Sequence, residues 1–194
     1  RGLGSSSACI IGGMLAANII SGRQLSYQEI IHLAAKMEGH PDNVGPALFG
    51  GFCVSLMDDD KTIIKSTKLK SHIKFAVIIP DFFVATKKSR GVLPSKIDFK
   101  DAVFNVGHAS MFQAAMLTCD MKALEIGVKD KLHQQYRKSY VDGMEDIFEK
   151  TYHLGSHATY LSGSGPTILS ILDGNYDGFK AGMEEYFKTN GLEW

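Results

Sequence analysis

The stretch GLGSSS, Gly2–Ser7, is followed at once by small and apolar residues up to Ile20, and it predicts a buried helix over residues 6–20. Backbone N–H groups at a helix start lack intrahelical partners, and the helix dipole favours negative charge there. Glycines let the chain approach a phosphate closely, and serine hydroxyls add hydrogen-bond donors or a Mg²⁺ ligand. The Lys of a Walker-type loop is absent. The stretch therefore predicts an anion site, with a Gly/Ser turn that only caps the helix as the alternative.

A second stretch, EGHPDNVGPALFGG at residues 38–51, gathers polar side chains in a loop that we expect to contain at most one helical turn. Four of these side chains can bind Mg²⁺ or polar substrate groups, namely Glu38, His40, Asp42 and Asn43. Mg²⁺ takes one or two carboxylates and completes its octahedron with water and phosphate oxygens. The alternatives are an Asx-turn at Asp42 and an ordinary surface histidine at His40.

The third stretch, LSGSGPT at residues 161–167, places two glycines and two serines between two short apolar strands. Such a turn brings backbone donors close to an anion, or it is simply a tight bend. The stretch predicts strand, turn and strand, and it leaves these two interpretations open.

The rest of the chain mixes helices and strands without a regular alternation. We expect a helix from Tyr27 to about Glu38, with Ser26 and Glu29 as a capping box and Gly22 ending the preceding helix. FCVSLM and KTIIKS flank DDDK and predict a hairpin, and IKFAVIIP predicts a strand. Further helices are expected at residues 98–117, 121–128, 142–152 and 179–188. This order favours an α+β fold in two layers with a boundary near residues 65–72.

Composition limits the classes of partner. The chain of 194 residues has 21 Lys plus Arg and 21 Asp plus Glu, so it lacks the basic excess typical of proteins that bind nucleic acid or acidic membranes. Cys9, Cys53 and Cys119 form no CxxC pair, which favours a reducing, cytoplasmic compartment over a disulfide framework or zinc site. The sequence contains no run of 18 apolar residues, so it predicts no membrane span.

Together, RGLGSSSA, EGHPDNVGPALFGG and LSGSGPT resemble, in this order, the motifs of the GHMP kinases. TKKSRGVLP at residues 86–94 and DKLHQQYR at residues 130–137 are similar to a subgroup that phosphorylates the hydroxyl of L-homoserine with ATP. The resemblance implies an incomplete N-terminal S5-like ATP-binding domain over residues 1–68 and a ferredoxin-like C-terminal domain over residues 69–194. It also implies a chain that lacks an N-terminal segment, a starting Met and its last strand.

The resemblance implies roles for individual residues, with ATP and Mg²⁺ as cofactors. Ser6 and Glu38 are expected to hold Mg²⁺, and Asp42 and Asn43 are the catalytic candidates, although a primary alcohol attacking a loose transition state needs little help from a base. The phosphates of ATP are expected to contact Arg1, Gly2, Leu3, Gly4, Ser5, Ser6, Ser7, Ala8, Gly163, Ser164 and Gly165. The small-molecule substrate L-homoserine is expected to contact His40, Asn43, Thr86, Arg90 and Arg137, with the two arginines on its carboxylate.

Two alternatives remain beside this function. One is another GHMP kinase, for mevalonate or a sugar, and the other is a catalytically inactive binding protein on the same fold. The presence of Glu38 and of the serine loop counts against the second. The resemblance further implies no nucleic-acid or membrane partner and is compatible with a homodimer.

Overall fold

The computed structural model describes residues 2–22, 25–70, 72–82 and 91–194, and these form two compact units. The N-terminal unit is Gly4–Leu69. The C-terminal unit begins at Lys70, extends to Trp194 and also includes Gly2 and Leu3. The correspondence of the two units to an ATP-binding and a C-terminal kinase domain stays a prediction.

The N-terminal unit combines three helices with one hairpin: α1 (Ser5–Ile20), α2 (Tyr27–Glu38), α3 (Val44–Phe49), β1 (Phe52–Asp58) and β2 (Lys61–Thr67). The predicted hairpin is confirmed, since β1 and β2 pair antiparallel from Phe52 opposite Thr67 to Asp58 opposite Lys61. The expectation of at most one helical turn after residue 40 is wrong, because α3 has six residues.

Helix α2 follows its sequence signals at both ends. The Ser26 hydroxyl accepts the N–H of Glu29 at 3.3 Å, and the Glu29 carboxylate accepts the N–H of Ser26 at 2.8 Å. The helix ends at Glu38 because Gly39 adopts a left-handed conformation with φ 87°. The predicted capping box is therefore confirmed, and Glu38 is fixed as the last helical residue.

Helix α1 is less buried than its composition predicts. In this helix only Ser7 and Ile11 are buried, whereas Ile19 and Ile20 are 75% and 84% exposed. The core of the N-terminal unit reaches α1 on one side only, where Ile11 packs with apolar residues of α2 and α3. The expected burial of this helix is therefore wrong within the described residues. Small and apolar residues lie on most sides of the helix, so the sequence does not indicate which side packs against the core.

The C-terminal unit contains a three-stranded antiparallel sheet in the order β3-β5-β4, with β3 (Lys74–Ile78), β4 (Ala158–Leu161) and β5 (Ile168–Leu172). The helices of this unit include α4 (Phe99–Thr118), α5 (Met121–Gly127), α6 (Gln134–Arg137), α7 (Met144–His153) and α8 (Tyr176–Asn190). A 3-10 turn follows α6 at Lys138–Tyr140. None of the helices in the described ranges has both the length and the apolar character needed to cross a membrane.

The core of this unit lies between the sheet and helices α7 and α8. Its buried residues are Ile78, Val141, Met144, Ile147, Leu161, Ile168, Leu172, Phe179 and Met183. Helix α4 follows the predicted apolar spacing, but Val103 and Val106 are exposed and its main buried residues are Ala115 and Met116. The side chain of Asp98 does not cap α4 and lies 3.6 Å from the Lys100 amine instead. The spacing therefore predicted the helix correctly but not the extent of its buried face.

Candidate functional site

The first Gly/Ser stretch opens helix α1. Gly4 precedes the helix in a left-handed conformation with φ 70°, and its carbonyl accepts the N–H of Ala8 at 3.0 Å. A Cβ on Gly4 would lie only 3.2 Å from the Asn43 Oδ1, so the first and second stretches are in close contact within the N-terminal unit. The amides of the first helical turn, Ser5–Ser7, have no partner inside an α-helix. This turn therefore offers donors to an anion.

Ser6 and Glu38 are joined by a hydrogen bond between their side chains. The Ser6 hydroxyl donates to Glu38 Oε2 at 2.9 Å across 32 residues of sequence. A hydroxyl and a carboxylate are hard oxygen donors that suit Mg²⁺. The described ranges contain no group of three or more His, Cys, Asp or Glu side chains able to hold a metal. A cation at this pair would thus take most of its ligands from water and phosphate oxygens, as Mg²⁺ does.

Ser7 differs from its neighbours because its side chain is fully buried. Its Oγ has no hydrogen-bond partner among the described residues. A buried hydroxyl without a partner costs free energy, roughly 1–3 kcal/mol. This cost is offset when a ligand atom supplies the missing bond.

His40, Asp42 and Asn43 form a polar cluster just after α2. The His40 Nδ1 contacts the Asp42 carboxylate, which also accepts the N–H of Asn43 at 3.0 Å. Asp42 therefore organises the turn, yet its side chain stays 70% exposed. The geometry is compatible with both the turn and the catalytic interpretation, and the role of Asp42 stays a prediction.

The third stretch packs on the first stretch inside the C-terminal unit. The Ser162 hydroxyl donates to the carbonyl of Gly2, and the Ser162 carbonyl accepts the N–H of Gly165 at 2.9 Å. Gly2 has φ 85°, and a Cβ there would clash with the Ser162 carbonyl oxygen. The turn therefore fixes the start of the first stretch by direct backbone contact.

The side chain of Arg137 also binds this turn. Its side chain is only 8% exposed, and Nη1 donates to the Gly163 carbonyl at 2.7 Å and lies 3.3 Å from His133 Nδ1. The role of Arg137 on the carboxylate of L-homoserine stays a prediction. The sequence does not reveal α6, since a four-residue helix leaves no apolar periodicity.

Asp130 holds the start of α6. Its carboxylate accepts the amide of Gln134 at 2.6 Å, that of His133 at 2.9 Å and the Asn105 side chain at 2.7 Å. Burial raises the pKa of the Asp130 carboxyl, but the hydrogen bonds and the nearby His133 outweigh it, and the pKa lies below its usual value. Burial, with a smaller contribution from Arg137, lowers the pKa of His133 despite the opposing effect of Asp130. Because its side chain is 6% exposed, Asp130 acts on the fold of this segment, a role that sequence reasoning missed.

The structure groups the predicted residues in two sets, one in each unit. The N-terminal set contains Gly4, Ser5, Ser6, Ser7, Ala8, Glu38, His40, Asp42 and Asn43, and the C-terminal set contains Gly2, Leu3, Gly163, Ser164, Gly165 and Arg137. Arg1, Thr86 and Arg90 lie outside the described residues. Their roles stay predictions.

The first and second stretches lie in a region that matches a known family of proteins. Residues 1–51 match the family described as GHMP kinases N terminal domain. The chain is similar to the GHMP kinases over these residues, and the expected α+β GHMP fold is confirmed.

The similar proteins narrow the class further. A homoserine kinase from Clostridium botulinum is 42% identical over all 194 residues of this chain, which spans 65% of that relative. A second homoserine kinase, from Caldicellulosiruptor saccharolyticus, is 45% identical over 184 residues. The aligned region covers 95% of this chain and 60% of that relative. The crystal structure of homoserine kinase from Cytophaga hutchinsonii aligns with a TM-score of 0.84 at 25% identity over 96% of this chain and 62% of that one. Mevalonate kinase from L. major, at 16% identity and a TM-score of 0.71, shares the fold alone.

Proposed function

We propose that the polypeptide containing this chain transfers the γ-phosphoryl group of ATP to the hydroxyl of L-homoserine, giving O-phospho-L-homoserine. The observation that carries the proposal is the 42% identity, over every residue of the chain, to a relative named homoserine kinase. Mevalonate kinase, at 16% identity, is a weaker candidate for the same fold. The product belongs to threonine biosynthesis, and we place the enzyme in the cytoplasm.

ATP phosphates are bound by the first stretch. The amides of Ser5–Ser7 point from a helix start with a favourable dipole, and the buried Ser7 hydroxyl needs a partner. Arg1 and the turn at Gly163–Gly165 belong to the same proposed set through the family resemblance. The contact of the Ser162 hydroxyl with Gly2 supports a role of that turn in shaping the loop.

Mg²⁺ is held by Ser6 and Glu38 together with phosphate oxygens and water. The 2.9 Å hydrogen bond between the two side chains supports this assignment, since it brings a hydroxyl and a carboxylate oxygen together. When bound, Mg²⁺ neutralises charge that develops on the transferred phosphoryl group. The protein contributes the position of both oxygens, since Glu38 is fixed at the end of α2.

The amino acid substrate is bound by His40 and Asn43, with Thr86 close by and Arg90 and Arg137 on its carboxylate. Asp42 and Asn43 lie nearest to the acceptor hydroxyl. Loose phosphoryl transfer is dominated by positioning and charge stabilisation, so a strong base is dispensable.

The test is ADP release with Mg²⁺-ATP on the full-length polypeptide, comparing L-homoserine with mevalonate, L-threonine, L-serine and galactose. We expect turnover with L-homoserine only. Turnover with another alcohol would support kinase activity but contradict L-homoserine as the substrate. ATP binding without turnover on any alcohol would favour the inactive binding protein.

A further inference from the structure

Strand β4 has an outer edge that needs hydrogen-bond partners. It pairs with β5 on one side only among the described residues, so the N–H groups of alternate residues point away from the sheet. Thr159 and Leu161 are such residues. The N–H of Thr159 donates to the Tyr152 hydroxyl at 3.2 Å, and the N–H of Leu161 donates to Gln134 Oε1 at 2.8 Å. Side chains thus replace a neighbouring strand along this edge.

Gln134 binds the first residue of the third stretch, Leu161. Leu161 is followed directly by Ser162, whose hydroxyl and carbonyl both contact Gly2. Three residues after Gln134, on the same side of α6, the Arg137 guanidinium donates to the Gly163 carbonyl. One short helix therefore binds the backbone on both sides of Ser162, with an acceptor before it and a donor after it.

The position of Gln134 is itself fixed by several bonds. Its N–H donates to Asp130 at 2.6 Å, and its side-chain amide donates to the Val128 carbonyl at 3.3 Å. Asn105 of α4 donates to the same carboxylate and accepts the N–H of Lys131 at 2.8 Å. The Oε1 of Gln134 is therefore oriented before any ligand binds.

We propose that Gln134 is a positioning residue for nucleotide binding: it holds Leu161, and through the Ser162 turn it keeps Gly2 in the conformation that the phosphate loop requires. The proposal rests on the proposed function, since it assigns the loop at Gly2 to ATP phosphates. We expect Gln134 to act on ATP more than on the alcohol, because among the described residues its bond to Leu161 leads to the Ser162 turn and Gly2.

The experiment compares Q134L, Q134E and the matched control Q135L in the full-length polypeptide. Leucine leaves the Leu161 N–H without an acceptor, whereas glutamate keeps an oxygen at that position. Gln135 is the same residue type one position on, and its exposed side chain donates to the Lys131 carbonyl of its own turn. For each variant, KM for ATP, KM for L-homoserine, kcat and the exchange rate of the Leu161 amide are measured.

In Q134L we expect KM for ATP to rise about tenfold, as for the loss of one buried hydrogen bond, with KM for L-homoserine changed less than about twofold. Leu161 amide exchange should accelerate. In Q134E, KM for ATP and the exchange rate of the Leu161 amide should return to the wild-type values. In Q135L, both quantities should match the wild type.

An unchanged KM for ATP in Q134L would overturn the proposal. So would an equal rise in both KM values, or a loss that Q134E does not restore, because a general structural defect would act that way. If the wild type phosphorylates none of the alcohols, the proposed function fails separately, and the same contrasts are read from the Kd for ATP by calorimetry.

Discussion

The two Gly/Ser stretches of this chain are held in opposite ways. The stretch at residues 2–8 opens a 16-residue helix and leaves Ser5 and Ser6 exposed, with Ser6 bonded to Glu38. The third stretch, at residues 161–167, has its backbone bound from outside by Gln134 at Leu161 and by Arg137 at Gly163. We therefore expect similar composition to support different tasks: the first stretch offers its polar groups to a ligand, and the third stretch holds the first through Ser162 and Gly2.

The polar side chains around the two stretches differ in the same sense. Asp42 is 70% exposed, whereas Asp130 is 6% exposed and accepts hydrogen bonds from its own segment. We therefore expect substitutions near the first stretch to affect catalysis. Substitutions near the third stretch should affect stability or the shape of the phosphate loop.

The largest effect is expected at the contact between the two stretches. In G2A the new Cβ meets the Ser162 carbonyl, and alanine is strained at φ 85°. Strain of about 1–2 kcal/mol plus an overpacking cost of about 1–3 kcal/mol predicts a loss in kcat/KM for ATP of about 100-fold or more. Steady-state kinetics check this loss.

The control for that change is G13A. Gly13 lies in α1 with open space around its Cβ position, so alanine should stabilise the protein slightly and leave kinetics unchanged. If G2A kept a normal kcat/KM for ATP, the third stretch would not determine the conformation of the first.

Glu38 should give the next largest effect. Gln keeps an acceptor for the Ser6 hydroxyl but removes the charge, so E38Q should lower kcat about 100-fold while KM for L-homoserine changes little. Kinetics over a range of Mg²⁺ concentrations measure both, and the exposed Glu185 gives the control E185Q. Unchanged turnover in E38Q would remove Glu38 from the metal site.

Asp130 should affect stability and its dependence on pH. The pKa of Asp130 lies below its usual value of 3.8 in the folded state, because its hydrogen bonds outweigh the effect of burial. The stabilisation it gives is therefore present above about pH 4 and is lost as pH falls through the lowered pKa. D130N should be less stable by about 1–3 kcal/mol at pH 7 and should depend less on pH below 5.

Urea unfolding of the wild type and D130N between pH 7 and 3 measures this difference. D60N, in the exposed hairpin turn, serves as the control. Equal pH dependence in the wild type and D130N would contradict the role assigned to Asp130.

Asp42 should give the smallest effect. If phosphoryl transfer needs positioning more than a base, D42N should lower kcat by less than about tenfold, since Asn still accepts the N–H of Asn43. The pH dependence of kcat in D42N is the measurement. A loss of more than about 1,000-fold would instead identify Asp42 as the catalytic base.

Local signals in the sequence predicted much of the fold. Ser26 and Glu29 mark the start of α2, and the DDDK turn marks the hairpin, because caps and turns depend on neighbouring residues. The burial of α1 was not predictable, since small apolar residues on all sides do not say which side packs.

The site divides similarly. The hydrogen bond between Ser6 and Glu38 agrees with the pairing implied by the family motifs. The contacts of Gln134 with Leu161 and of Arg137 with Gly163 join residues 27 and 26 positions apart, and no periodic pattern connects them. Such contacts depend on the folded arrangement of α6 beside β4.

The most direct test of the central claim is the identity of the phosphorylated product. The full-length polypeptide is incubated with Mg²⁺-ATP and L-homoserine, and the products are followed by ³¹P NMR. We predict one new phosphomonoester on the homoserine hydroxyl, formed in step with ADP. Inorganic phosphate as the only new product, or no consumption of ATP in the presence of L-homoserine, would contradict the proposed function.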